Sequence, residues 1–212
     1  MKKLVIFDLD GTLLNTLDSI AFCGNTALKH FGFSPVDTVV YPAFIGNGAP
    51  VLIEKLYKHV GGDPEKFDDF LKYTLSVYAE YGNKNITVFD GIYDMLDALK
   101  TRGIKCAVLS NKPHEITVDV CENFFGDIFE CVYGHRHDKP KKPDPTVIFD
   151  ILDEVGLSKE ECTYCGDSTV DVQTAKNAGV AIFGAAWGFY GKAPFETADA
   201  IAVTPMDLIK YI

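Results

Sequence analysis

The sequence predicts an α/β protein: a parallel sheet with helices on both faces and a small α-helical domain inserted after the first strand. Three observations carry that expectation. Apolar runs of strand length recur at Leu4–Phe7, Ile104–Leu109, Thr163–Cys165 and Val180–Phe183. Between them lie helical periods, in which Ile92, Met95, Leu96 and Leu99, and again Ile148, Ile151, Leu152 and Val155, follow the i, i+3, i+4, i+7 pattern. Strands alternating with helices imply a parallel sheet. Residues 15–82 break the alternation, because their helical patterns have no clear strand between them.

Along the chain, Leu4–Phe7 reads as a buried strand that ends at Asp8. The insert follows over 15–82, with stripes at Ile53, Leu56, Tyr57, Val60 and at Leu71, Thr74, Leu75, Tyr78. Gly61-Gly62-Asp63-Pro64 separates those two helices. The core is expected over 1–14 and 83–212, re-entered near Val88-Phe89-Asp90-Gly91. Gly103, Gly156 and Gly179 each follow a helical stretch, where a C-terminal glycine belongs. Thr204–Ile212 reads as a short closing helix.

Composition narrows the function. The chain has 212 residues, 47% hydrophobic and 24% charged, ordinary for a globular protein. A net charge of −10 disfavours nucleic acid and anionic lipid as partners. No apolar run approaches the ~20 residues that span a bilayer. The run after Met1-Lys2-Lys3 is too short for a secretory signal, so the expected location is the cytoplasm. Six scattered cysteines read as buried free thiols. Cys162 and Cys165 have redox or zinc spacing, but no second pair completes a site.

Asp8-Leu9-Asp10-Gly11-Thr12 carries the chemistry. Two carboxylates at a strand end are costly unless they bind a cation or are otherwise paired, which suggests a metal site. Ser110-Asn111-Lys112 follows the run Ile104–Leu109, and Gly166-Asp167-Ser168 follows Cys165, with Asp171 four residues after Asp167. Ligands of open parallel sheets bind at the carboxyl ends of strands, so these groups can converge. Lys141-Lys142-Pro143-Asp144-Pro145 would add a cation. Such a set suits phosphoryl transfer, with a carboxylate nucleophile, a carboxylate acid/base, and a cation with hydroxyl donors on the phosphoryl group. His135-Arg136-His137 reads as a solvated loop.

In that order the motifs resemble those of the haloacid dehalogenase-like superfamily over essentially the whole chain. The resemblance implies a Rossmann-like core with a helical cap domain at 15–82. It makes Asp8 the nucleophile and Asp10 the acid/base, with Ser110 and Lys142 completing the catalytic set. Lys142 is preferred to Lys139 and Lys141 because it alone precedes Pro-x-Pro. Mg²⁺ would be held by Asp8, the Asp10 carbonyl and Asp167, with Asp171 supporting the metal shell or the lysine. Substrate contacts are expected from Thr12, Asn111 and the loop at Gly46, Asn47 and Gly48. That loop and Trp187-Gly188 resemble phosphoglycolate phosphatases. The expected partner is therefore a small-molecule phosphate ester, phosphoglycolate leading, and the expected assembly a monomer or homodimer. The absence of arginine between residues 13 and 101 disfavours a sugar-phosphate mutase. It also leaves a substrate carboxylate to Lys55, Lys58 or amides near Gly46–Gly48. Other phosphotransfer reactions on the same machinery remain open, including a phosphonate hydrolase using Lys29, as does a binder without turnover.

Overall fold

A computed structural model of the chain describes residues 2–212. Six parallel strands form the main sheet in the order β5-β4-β1-β6-β7-β8. They are β1 (Leu4–Phe7), β4 (Lys105–Pro113), β5 (Cys131–His135), β6 (Cys162–Gly166), β7 (Ala181–Ala185) and β8 (Ala200–Ala202). Two short strands, β2 (Leu14–Asn15) and β3 (Thr87–Val88), pair separately where the chain leaves and re-enters the core. The described residues also form seven α-helices: α1 (Leu17–His30), α2 (Ala49–His59), α3 (Phe67–Tyr81), α4 (Ile92–Thr101), α5 (His114–Phe125), α6 (Thr146–Val155) and α7 (Thr169–Ala178).

Strand β1 is central because every residue in it is apolar and buried. Leu4 pairs with Lys105 of β4 on one side and with Cys162 of β6 on the other. Helix α6 lays Val147, Ile148, Ile151 and Leu152 into one core cluster with Leu4, Ile6, Ala107, Leu109 and Tyr164. From β1 the sheet grows outward to β5 on one side and to β8 on the other. The winding direction therefore reverses between β1 and β6, the place where open α/β sheets bind ligands.

By internal packing the chain forms two compact units, residues up to Asn15 with Val88–Ile212, and Thr16–Thr87. The second unit has its own core, in which Ile20, Leu28, Tyr41, Ile53, Leu56, Tyr57 and Phe70 are buried together. Asn25 ties this unit internally. Its amide donates to the Val36 carbonyl at 2.9 Å, and its oxygen accepts from the Val36 amide at 2.8 Å and the Tyr41 hydroxyl at 3.0 Å. By packing, this unit ends at Thr87, the first residue of β3.

Several elements differ from the sequence expectation. Strand β4 continues past Leu109 to Pro113, with a register irregularity between those two residues, so Ser110, Asn111 and Lys112 lie in its extended end. His135 closes β5 rather than lying in a loop. The closing segment is a 3₁₀ turn over Pro205–Lys210, held by Arg102 donating to the carbonyls of Ile209 and Ile212 at 2.8 and 3.0 Å. All six cysteines are free and buried. Among the described residues, no helix is long and apolar enough to cross a membrane.

Candidate active site

Asp8 leaves the end of β1 while its amide still donates to the Cys165 carbonyl at 2.9 Å, which extends the pairing to β6. Its Oδ1 accepts from the Leu9 amide at 2.7 Å. The chain then turns at Gly11, where φ is +84°. A Cβ at Gly11 would overlap the Asp167 carboxylate, so a glycine there lets the β1 and β6 ends approach.

Lys142 is buried and stands between two of the carboxylates. Its Nζ lies 2.9 Å from Asp8 Oδ1 and 2.8 Å from Asp171 Oδ1. It also donates to the Tyr164 hydroxyl at 3.0 Å, and that hydroxyl lies 3.1 Å from Asp171 Oδ1. Asp171 Oδ2 accepts from the Ser168 amide at 3.0 Å and from the Ser168 hydroxyl at 2.5 Å, and the Asp171 amide donates back to Ser168 Oγ. Asp171 is therefore both the capping-box residue of α7 and the anchor of Lys142. Lys139, the rival in the sequence, pairs with Asp150 at 2.9 Å instead.

Asp10 has a separate cation. Lys112 Nζ lies 3.2 Å from Asp10 Oδ1 and 3.5 Å from Oδ2, and the lysine is buried. Ser110 is buried at the same strand end and accepts from the Lys112 amide at 3.3 Å. The Asn111 side chain is engaged with the Lys142 backbone. It donates to the Lys142 carbonyl at 3.1 Å and accepts from the Lys142 amide at 2.8 Å, so it holds the Lys142 loop against β4. Thr12 is fully buried, its hydroxyl has no hydrogen-bond partner among the described residues, and its carbonyl accepts from Trp187 Nε1 at 2.8 Å. Gly46, Asn47 and Gly48 belong to the helical unit, with Gly48 preceding α2 and φ values of +110° and +84° at the two glycines.

Asp8, Asp167 and Asp171 each offer an oxygen within 4.8 Å of the others, the one such acidic or metal-ligating group among the described residues. Burial raises the Asp8 carboxyl to about 7, helped by Asp171 and opposed by Lys142. Asp167 is raised well above the usual carboxylate range, first by burial and then by Asp171 and Asp8. For Lys142, burial favours the neutral amine, but Asp171 and Asp8 outweigh it and raise the ammonium above its ordinary value. When ionised, the three buried carboxylates outnumber the one ammonium and carry an excess of negative charge. All the donors are oxygens, so the set fits a hard divalent cation. Both Asp171 oxygens are already hydrogen-bonded, which leaves Asp8 and Asp167 as the better placed ligands.

Three contributors carry no role in the sequence reading. Lys112 stands there only as the last residue of Ser110-Asn111-Lys112. Tyr164 reads as strand core. The Phe189 amide, which donates to Asp167 Oδ2 at 2.9 Å, is backbone.

The chain as a whole is similar to known hydrolases. The family model for haloacid dehalogenase-like hydrolases matches residues 5–185. A phosphoglycolate phosphatase of Pseudomonas savastanoi pv. phaseolicola is 31% identical over 218 residues, covering 100% of this chain and 79% of the relative. A phosphoglycolate phosphatase of Rhodospirillum rubrum is 32% identical over 210 residues, covering 96% and 87%. The crystal structure of a predicted phosphoglycolate phosphatase from Haemophilus somnus superposes with a TM-score of 0.87 at 28% identity, covering 99% of this chain and 97% of that one.

Proposed function

The chain belongs to the haloacid dehalogenase-like hydrolase family, and from that premise we propose that it is a Mg²⁺-dependent phosphatase of a small phosphate monoester, phosphoglycolate foremost. The observation that carries the proposal is Asp8, buried at the end of β1, with Lys142 at 2.9 Å and two further carboxylates beside it. The named relatives support the choice of substrate.

In the first step an Asp8 oxygen attacks phosphorus and the ester P–O bond breaks, leaving the phosphoryl group on Asp8. Asp10 gives its proton to the departing oxygen. In the second step water attacks phosphorus, Asp10 takes the proton, and phosphate leaves as the Asp8 carboxylate is restored. Lys142 supplies positive charge beside the reacting carboxylate, and Ser110 and the Asn111 backbone amide receive phosphoryl oxygens. Asp8, the Asp10 carbonyl and Asp167 would hold Mg²⁺. When bound, the ion would supply charge that keeps Asp8 ionised and offsets the charge of the transferring group. Asp171 keeps Lys142 in place.

The test is phosphate release from phosphoglycolate and from an aryl phosphate, with Mg²⁺ and with chelator. Activity should require Mg²⁺ and disappear in Asp8→Asn with folding unchanged by circular dichroism. Turnover that survives Asp8→Asn would remove Asp8 as nucleophile.

A further inference from the structure

The turn after β7 touches both acidic strand ends within three residues. Trp187 Nε1 donates to the Thr12 carbonyl at 2.8 Å, on the loop that carries Asp8 and Asp10. Phe189 N–H donates to Asp167 Oδ2 at 2.9 Å, on the loop after β6. Gly188 lies between them. A Cβ there would overlap the Gly11 carbonyl oxygen and the Asp167 side chain, so only glycine lets this turn close on them. Gly11 faces the same carboxylate from the other loop, and a Cβ there would also meet the Phe189 ring.

We propose that Trp187–Phe189 is the positioning element for Asp167, a strap that sets the Asp167 carboxylate relative to Asp8 and thereby sets the affinity for the divalent cation. The proposal rests on the reading of Asp8 and Asp167 as the metal-holding pair. Its physical basis is the strictness of Mg²⁺, which takes near-octahedral oxygen geometry at short distances. A carboxylate free to rotate would meet that geometry for only part of the time. The Phe189 amide removes the rotation by fixing one oxygen, so the other is presented in one direction. Hydrogen bonds of this kind to metal-ligating groups change affinity by roughly 10–100-fold when removed. The tryptophan ties the strap to the β1 loop, so the two carriers of the cluster move together.

Trp187 is the one tryptophan of the chain, which makes its emission a site-specific reporter. The experiment titrates Mg²⁺ alone into wild type, Gly188→Ala and Trp187→Phe. Affinity is read by calorimetry, and by Trp187 fluorescence in wild type and Gly188→Ala. The Mg²⁺ concentration giving half-maximal phosphate release is measured in parallel. Wild-type fluorescence should change with the calorimetric midpoint. Gly188→Ala should raise the Mg²⁺ requirement by about 10–100-fold, with kcat recovered at saturating Mg²⁺. A purely structural defect would lower kcat at every Mg²⁺ concentration instead. Trp187→Phe keeps a ring but loses the N–H bond to Thr12 and should shift the requirement in the same direction by less. It decides the matter if Gly188→Ala does not fold. Wild-type Mg²⁺ affinity in both folded variants overturns the strap while leaving the metal reading intact. Absence of Mg²⁺ binding by wild type overturns the metal reading and the strap with it.

Discussion

Lys142 and Asp171 form a buried ion pair of 2.8 Å, and the same ammonium lies 2.9 Å from Asp8. Asp171 thus acts on Asp8 through the lysine. Its other oxygen is taken up by Ser168. Asp171→Asn keeps the shape but weakens the hold on Lys142. The expected result is a fall in kcat of about 10²-fold, the scale of a misplaced catalytic group, with the Mg²⁺ requirement near that of wild type. Asp167→Asn should instead raise the Mg²⁺ requirement. Steady-state kinetics across Mg²⁺ concentrations separates the two. An equal shift in both variants would make Asp171 a metal ligand.

The Lys112–Asp10 pair gives a second prediction, because the proposed work of Asp10 depends on where its carboxylate points. Lys112→Met should misorient it. A poor leaving group needs the proton most, so kcat on an alkyl phosphate should fall by about 10²-fold, the lower end for general acid catalysis. On p-nitrophenyl phosphate the loss should be much smaller. Lys112→Arg should recover part of the activity. A loss independent of leaving group would assign Lys112 to folding. A rise in KM confined to carboxylate-bearing substrates would place it on the substrate.

Tyr164 joins the charged cluster to the sheet. Its hydroxyl donates to the Leu109 carbonyl at 3.3 Å and also lies between Lys142 and Asp171. Tyr164→Phe leaves those groups one partner short in a buried site. The expected cost is about 1–3 kcal/mol, read by urea denaturation in the absence of metal. An unchanged midpoint would show that the neighbouring groups satisfy one another without the hydroxyl.

What the sequence made legible follows from how each feature is encoded. Leu4–Phe7 announced itself because four consecutive buried residues leave no polar position, as a central parallel strand requires. Edge strands β5 and β8 were not evident. Cys131–His135 mixes glycine and histidine with buried positions, and Ala200–Ala202 is too short to show a period. Asp8, Asp10, Ser110, Lys142, Asp167 and Asp171 were singled out by motif order, and the fold places them in one unit. Lys112 stands in the Ser110-Asn111-Lys112 motif, but its pairing with Asp10 does not show there, because a buried lysine and a solvated one are the same letter. The bonds that Asn111 makes to Lys142, and Phe189 to Asp167, use backbone groups, which no residue type reveals.

The pH response of metal binding follows from the crowding of carboxylates. Burial first, and then the nearby Asp171, push the Asp8 carboxyl up from the usual 3.8 to about 7 when no metal is bound. Asp167 is raised for the same reasons, with Asp8 also contributing. A raised carboxyl binds its proton more tightly in the folded than in the unfolded chain. The cost of ionising it is therefore fully present above the folded value and fades as pH falls toward the unfolded one. The metal-free protein should gain stability from this source between pH 8 and pH 5. Mg²⁺ competes with those protons, so it should stabilise most where the carboxyls are ionised. Thermal melts with and without Mg²⁺ at pH 8 and pH 5.5 check this. The Mg²⁺-induced rise in Tm should be larger at pH 8 and shrink at pH 5.5, and Asp167→Asn should diminish it at both. A rise of equal size at the two pH values would mean that the ion binds away from the raised carboxyls.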